Sequence, residues 1–256
     1  MNEAIATMQF NKVNVQIFRS GAELGAAAAM QAGTVITEAI QDHGRARIII
    51  GTGNSQQNLV DSLVRISELE WNRIEVFHMD EYVGMKPTHP ASFRRWLKTR
   101  LADYVHPRQI HYLHGDAIDI ELECQRYGRL LAEGPIDLSF VGFGENGHIA
   151  FNDPHVADIE DPQLVKPVAL DEKCRKQQVG EGHFPDLGSV PTHALTITCP
   201  VLLEANYMIC SVPEGRKAEA VSNALRGPIS SKCPASFVRT HDRAYVYLDV
   251  ESAALL

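Results

Sequence analysis

The stretch Arg47-Ile48-Ile49-Ile50-Gly51-Thr52-Gly53-Asn54-Ser55-Gln56 decides the fold. RIII (47–50) reads as a buried strand that stops at Gly51. A short glycine loop follows, and Gln56 to Leu69 carries Leu59, Leu63 and Ile66 at helical spacing. Strand, tight loop and helix in that order form the first half of a βαβ crossover. Working outward, further apolar runs stand at RIEVFHM (73–79), PIDLSFVGFG (135–144), ALTIT (194–198), NYMICSV (206–212) and AYVYLDV (244–250). Helical patterns lie between them, over 23–41, 118–132 and 214–225. The alternation predicts an α/β fold with a mostly parallel sheet and helices on both faces.

With 256 residues, 45% of them hydrophobic and 22% charged, the chain fits a single α/β domain over 1–256. This excludes a disordered chain, a collagen-like chain and a disulfide miniprotein. A net charge of −8 without a basic run leaves no electrostatic footprint for nucleic acid. A small phosphate is still admissible, because it needs local donors rather than global charge. The five cysteines, Cys124, Cys174, Cys199, Cys210 and Cys233, form no CxxC pair, which points to reduced thiols in a cytoplasm. MNEAIATMQFNKVNV does not read as a signal peptide, and no apolar run approaches the roughly 20 residues that span a bilayer.

In parallel sheets ligands collect beyond the carboxyl ends of the strands, so the residues just after each strand are the site candidates. Thr52, Gly53, Asn54 and Ser55 at a helix start suit a phosphate. The loop is neither a Walker loop nor a full dinucleotide fingerprint. Asp80 and Glu81 directly follow an apolar strand, where two acids supply a general base and a neighbour, or else a solvated turn. GFGENGHIAFNDP (142–154) gathers Gly144, Asn146, His148 and Asp153. Histidine changes protonation near neutral pH, and a carboxylate within reach fixes its tautomer. Arg216 and Lys217 sit at a helix start, where cations are mildly misplaced and hint at a bound anion. Histidine and cysteine spacings give no ligand motif, so no metal is expected. The irregular, polar 152–192 stretch reads as a lid.

Taken together, HMDEYVG (78–84), HPASF (89–93), GFGENGHIAFNDP (142–154), PTHALT (191–196) and GRKAEAV (215–221) resemble the glucosamine-6-phosphate deaminases. These belong to the wider sugar-phosphate isomerase and 6-phosphogluconolactonase family. The lactonase phrases DER and GHTASLFP are absent. The resemblance implies a Rossmann-like fold with a small element over the active site. It also implies conversion of glucosamine 6-phosphate and water to fructose 6-phosphate and ammonia without a cofactor. The family's base falls on Asp80, its ring-opening histidine on His148, and the residues supporting that histidine on Asn146 and Asp153. Its phosphate loop falls on Thr52–Ser55 and its phosphate lysine on Lys217.

Departures are visible as well. Position 146 is Asn where some members have Asp, and position 153 is Asp where Glu is usual. The lid arginine of some members has no counterpart, with Arg175 and Lys176 out of register. The chain ends at Leu256 without the long tail of the allosteric members, so weak or absent activation by N-acetylglucosamine 6-phosphate is expected. The alternatives are a galactosamine 6-phosphate enzyme, a lactonase, and a non-catalytic sugar-phosphate-binding domain. The expected partner is a small hexosamine phosphate, with no nucleic acid and no membrane. A homo-oligomer is left open.

Overall fold

Strand alternation builds the centre of the protein. In the computed structural model, which describes residues 3–256, Ile48 and Ile50 enter one apolar layer while Ile49 enters the other. The chain begins with β1 (Ala6–Phe10), β2 (Val13–Phe18), α1 (Gly21–His43), β3 (Ala46–Ile50) and α2 (Asn54–Leu63). It continues with β4 (Ile74–His78), β5 (Asp80–Tyr82), α3 (Phe93–Leu97), β6 (Gln109–His111), α4 (Ile120–Leu131) and β7 (Leu138–Val141). The last third holds β8 (Val165–Ala169), α5 (Glu172–Gly180), β9 (His193–Ile197), α6 (Cys199–Leu203), β10 (Tyr207–Val212), α7 (Ala218–Arg226) and β11 (Ala244–Asp249).

Eight strands form the main sheet in the order β1-β2-β11-β10-β7-β3-β4-β6. All neighbours are parallel except the β1–β2 hairpin. Apolar side chains of α1, α2 and the α3 segment cover one face, and those of α4, α6 and α7 cover the other. After β3 the chain steps to β4 and β6 on one side, and β7 then returns to the other side of β3. That reversal opens a crevice beyond the carboxyl ends of β3 and β7. The fold class read from the sequence is the one observed.

Two strand assignments change. The run 73–79 ends as a main-sheet strand at His78, and Asp80 starts β5 in a separate antiparallel sheet of order β5-β9-β8. ALTIT is β9 of this small sheet and pairs with no main-sheet strand. The 152–192 segment is not one continuous loop. It contains β8 and α5, and its apolar residues Val168, Leu170, Cys174, Phe184 and Val190 join a third cluster with Tyr82, Phe93 and Phe151. The five cysteines are free thiols. Among the described residues no helix is long and apolar enough to cross a membrane.

The move between sheets gives Asp80 and Glu81 opposite fates, because successive strand residues point to opposite faces. Glu81 is fully buried and turned away from the crevice. Its carboxylate accepts hydrogen bonds from Tyr82 N (3.0 Å), Ser92 Oγ (2.7 Å), Phe93 N (3.3 Å) and Arg94 N (3.1 Å), with Arg94 Nε 3.5 Å away. It therefore clamps the start of α3, and its sequence assignment as a catalytic acid does not fit its position. Glu81→Ala leaves those donors buried without an acceptor. We expect a loss of about 3–5 kcal/mol in stability, read from the denaturant midpoint at unchanged slope.

Candidate active site

The crevice is lined by residues that follow four strands of the main sheet. Gly51–Ser55 come after β3, Met79 and Asp80 after β4, Gly142–Gly144 after β7, and Lys217 after β10. It opens to solvent, and its lining sets polar and charged groups beside the apolar Met79, Phe93, Phe143 and Phe151, a mixture that suits a small polar ligand. His148, Ala150, Phe151 and Phe93 complete one wall, and Gln177, Gln178 and Glu181 of the α5 region close over it.

Asp80 lies at the bottom. Its carboxylate is buried, and its Oδ1 has no hydrogen-bond partner among the described residues. Burial, reinforced by the neighbouring Glu81 charge, pushes its pKa up to about 8. At neutral pH such an acid is mostly protonated, and its ionised form, reached as pH rises towards about 8, is a stronger base than an ordinary carboxylate.

His148 stands over Gly144. A Cβ at Gly144 would meet the imidazole ring at 2.3 Å, so only glycine lets the ring lie there. The His148 Nδ1 is 3.0 Å from Asp153 Oδ1. The shorter Asp153 thus reaches the ring, helped by the tight 149–152 turn in which Ala150 takes a left-handed φ of 50°. With Nδ1 bonded to the carboxylate, Nε2 is the ring nitrogen left for proton transfer. Burial works to raise the Asp153 pKa, but hydrogen bonds from His148, Asn146 and the Asp171 backbone outweigh it and the net shift is downward.

Asn146 acts at one remove. Its Nδ2 donates to Asp153 Oδ1 (2.8 Å) and to Asp171 Oδ2 (2.7 Å), and its Oδ1 accepts from the His148 backbone N–H (3.1 Å). It orients Asp153 and the loop rather than the imidazole itself. Asp171, the N-cap of α5, is a carboxylate the sequence reading missed.

The far end of the crevice is built for an anion. Gly53, at φ 86°, caps α2 in a backbone state that suits glycine, and no side chain bonds to the first turn. Thr52 Oγ1 is buried without a partner among the described residues. The buried Lys217 is carried in by the Gly215–Lys217 turn after Glu214, itself at a φ of 81°. Burial lowers the Lys217 pKa and the Glu181 carboxylate, with Nζ 3.6 Å away, works against that. Arg216 is held outside by Glu214, Glu181 and Glu145. Arg175 donates to Leu187 O and Val190 O, and Lys176 pairs with Glu172 at the surface, so neither supplies the lid arginine.

Gln177, Gln178 and Glu181 were not foreseen. Their spacing of one helical turn is the only local signal, and their proximity to Lys217 is a tertiary fact. Among the described residues two groups have the spacing for a cation, His148 with Asp153 and Cys174, and Asp153 with His155 and Asp171. The Asp153 that they share is engaged. Asp153 already accepts from His148, Asn146 and the Asp171 backbone. Burial and the neighbouring acids hold the Cys174 thiol well above its usual range, which disfavours the ligating thiolate.

Comparison with known proteins agrees with this geometry. The family model described as glucosamine-6-phosphate isomerases/6-phosphogluconolactonase matches residues 19–247. A protein of Lactobacillus delbrueckii subsp. bulgaricus named glucosamine-6-phosphate deaminase is 30% identical over 95% of this chain and all of its own length. A Bacillus cereus protein of the same name is 31% identical over 86% of this chain and 82% of its own. The solved structure of a monomeric glucosamine-6-phosphate deaminase superposes with a TM-score of 0.87 at 29% identity, covering 94% of this chain and 99% of that one. A 6-phosphogluconolactonase from Thermotoga maritima, at 18% identity and a TM-score of 0.74 over 93% of this chain and all of its own, shares the fold. The chain belongs to the glucosamine-6-phosphate isomerase/6-phosphogluconolactonase family.

Proposed function

We propose that the protein converts glucosamine 6-phosphate and water to fructose 6-phosphate and ammonia in the cytoplasm, by aldose–ketose isomerisation followed by loss of the amine. The observation that carries this reading is the unpartnered carboxylate of Asp80 and the His148–Asp153 pair on the walls of one crevice whose far end holds Thr52–Ser55 and Lys217. A binding module has no use for a base and a proton shuttle in one cleft. Five free cysteines, four of them buried, suit a reducing compartment.

The residues take their roles from position. His148 moves a proton from O1 to the ring oxygen, and the sugar opens to its C1 aldehyde. The aldehyde acidifies the C2 hydrogen. Asp80 takes that proton and returns it to C1, while the amine gives up a proton and O1 gains one, leaving a C1 hydroxyl and a ketimine at C2. Water adds to C2, the carbon–nitrogen bond breaks, and ammonia leaves as the ketose forms. Gly53, Thr52, Ser55 and Lys217 hold the phosphate away from the reacting carbons, so that its binding energy places C1 and C2 over Asp80. Asn146 supports Asp153, and the α5 region of the 152–192 segment acts as the lid that limits water at the imine stage.

Asp80→Asn keeps the shape and removes the base. Turnover should fall by roughly 10²–10⁴ with KM little changed, and solvent deuterium should no longer enter the product. Only ionised Asp80 accepts the proton, so wild-type kcat/KM should climb as pH rises towards about 8 and level off above it. The same shift affects stability. The folded state binds a proton that the unfolded state has released between the ordinary carboxylate range and about pH 8, so stability falls as pH rises through that window. Asp80→Asn lacks that loss, and its melting temperature should gain on the wild type more at pH 9 than at pH 5. Lys217→Ala should raise KM for glucosamine 6-phosphate by about one to two powers of ten in steady-state assays, with a smaller change in kcat.

A further inference from the structure

Lys217 does not stand alone at the anion end. The carboxylate of Glu181, itself buried, lies 3.6 Å from Lys217 Nζ and 3.4 Å from Arg216 Nη2, and its Oε1 accepts from Gln177 Nε2 at 2.8 Å. His183 Nε2 is 3.4 Å from its other oxygen. Two more carboxylates, Glu145 and Glu214, pair with Arg216. Lys217 and Arg216 are thus outnumbered by Glu145, Glu181 and Glu214. A phosphate entering here meets cations that are already neutralised. Yet the uncapped start of α2 and the orphaned Thr52 hydroxyl point donors into the same end of the crevice, which calls for an anionic ligand.

We infer that Glu181 is a specificity-determining residue that occupies Lys217 in place of a substrate phosphate and yields it only to a phosphate delivered by a bound sugar. The inference rests on the proposed placement of the phosphate at Lys217. An ammonium has three donors, so Lys217 can turn from the carboxylate to the phosphate. Glu181 keeps Arg216, Gln177 and His183 as neighbours and stays close by. With Lys217 in place, His183, Lys217, Arg216 and Gln177 together outweigh burial and hold its pKa down at about 2, and three of these four stay beside it when Lys217 turns away. Its charge therefore opposes every anion at Lys217. A sugar phosphate overcomes the opposition because the sugar end is anchored near Asp80 and His148, which gives the phosphate a high effective concentration. Free inorganic phosphate has no such anchor and binds weakly.

The test is calorimetric titration of the intact protein with inorganic phosphate, alongside KM for glucosamine 6-phosphate. Glu181→Gln removes the charge and keeps the shape. It should tighten inorganic phosphate binding by about tenfold or more, lower KM by a smaller factor, and change kcat little. Glu181→Ala should move phosphate binding the same way, which separates charge from amide chemistry. Glu172→Gln, on the exposed start of the same helix, should leave both quantities unchanged. Melting temperatures confirm that each variant is folded. Phosphate affinity that is unchanged or weaker in both Glu181 variants overturns the inference, while a loss of phosphate binding in Lys217→Ala still upholds the phosphate placement. Phosphate binding that Lys217→Ala leaves intact overturns the placement itself and this inference with it.

Discussion

Burial raises the free energy of the ionised Asp80 carboxylate, and the one charge that acts on it strongly, Glu81, raises it further. The crevice depends on keeping this acid dry and without a cation. A cation within a few ångströms would pull its pKa back towards the ordinary range. The protein meets the constraint by backbone geometry. Met79 alone separates the last residue of β4 from the first of β5, and the change of sheet aims Asp80 into the crevice and Glu81 into the protein. The donors at Tyr82, Ser92, Phe93 and Arg94 bond to Glu81, while Asp80 Oδ1 has no partner among the described residues.

The sequence is readable where local chemistry and burial coincide. β3, β7, β10 and β11 lie inside the main sheet, are covered on both faces, and consist of short apolar runs. Edge strands carry weaker patterns. β1 is largely exposed, β6 has three residues, and β8 places Pro167 on the outer strand of the small sheet, where a missing N–H is tolerated. ALTIT reads correctly as a strand, but no local pattern says which sheet it joins.

The site divides in the same way. Asp80, His148, Asp153, Gly53 and Lys217 each follow a strand or glycine turn, and the resemblance locates them by motif. Glu81 misleads, because adjacent acids read as a pair until the strand period sends them apart. Glu181 and Asp171 escape notice for another reason. Their meaning comes from Lys217 and Asn146, which are distant in the chain, and for Asp171 an acid just before a helix has an ordinary capping explanation. Asn146 is the instructive case. Its motif position predicts a support for His148, while its amide bridges two carboxylates that no spacing rule connects.

One helix links these parts. Asp171 at the start of α5 gives its backbone N–H to Asp153, the partner of His148. In the middle, Gln178 accepts a hydrogen bond from Tyr82 Oη at 2.7 Å, on the strand that begins with Asp80. Just past its end, Glu181 meets Lys217. Nine residues of α-helix span about 13 Å, comparable to a hexose phosphate and its contacts at either end. A rigid rod of that length fixes the distance between the proton-transfer groups and the anion end. Any shift of α5 that frees Lys217 from Glu181 also acts on the hydrogen bonds to Asp153 and Tyr82. Because Lys217 can turn to a phosphate while Glu181 stays with Arg216, Gln177 and His183, the exchange at the anion end can leave α5, and with it the contacts to Asp153 and Tyr82, in place.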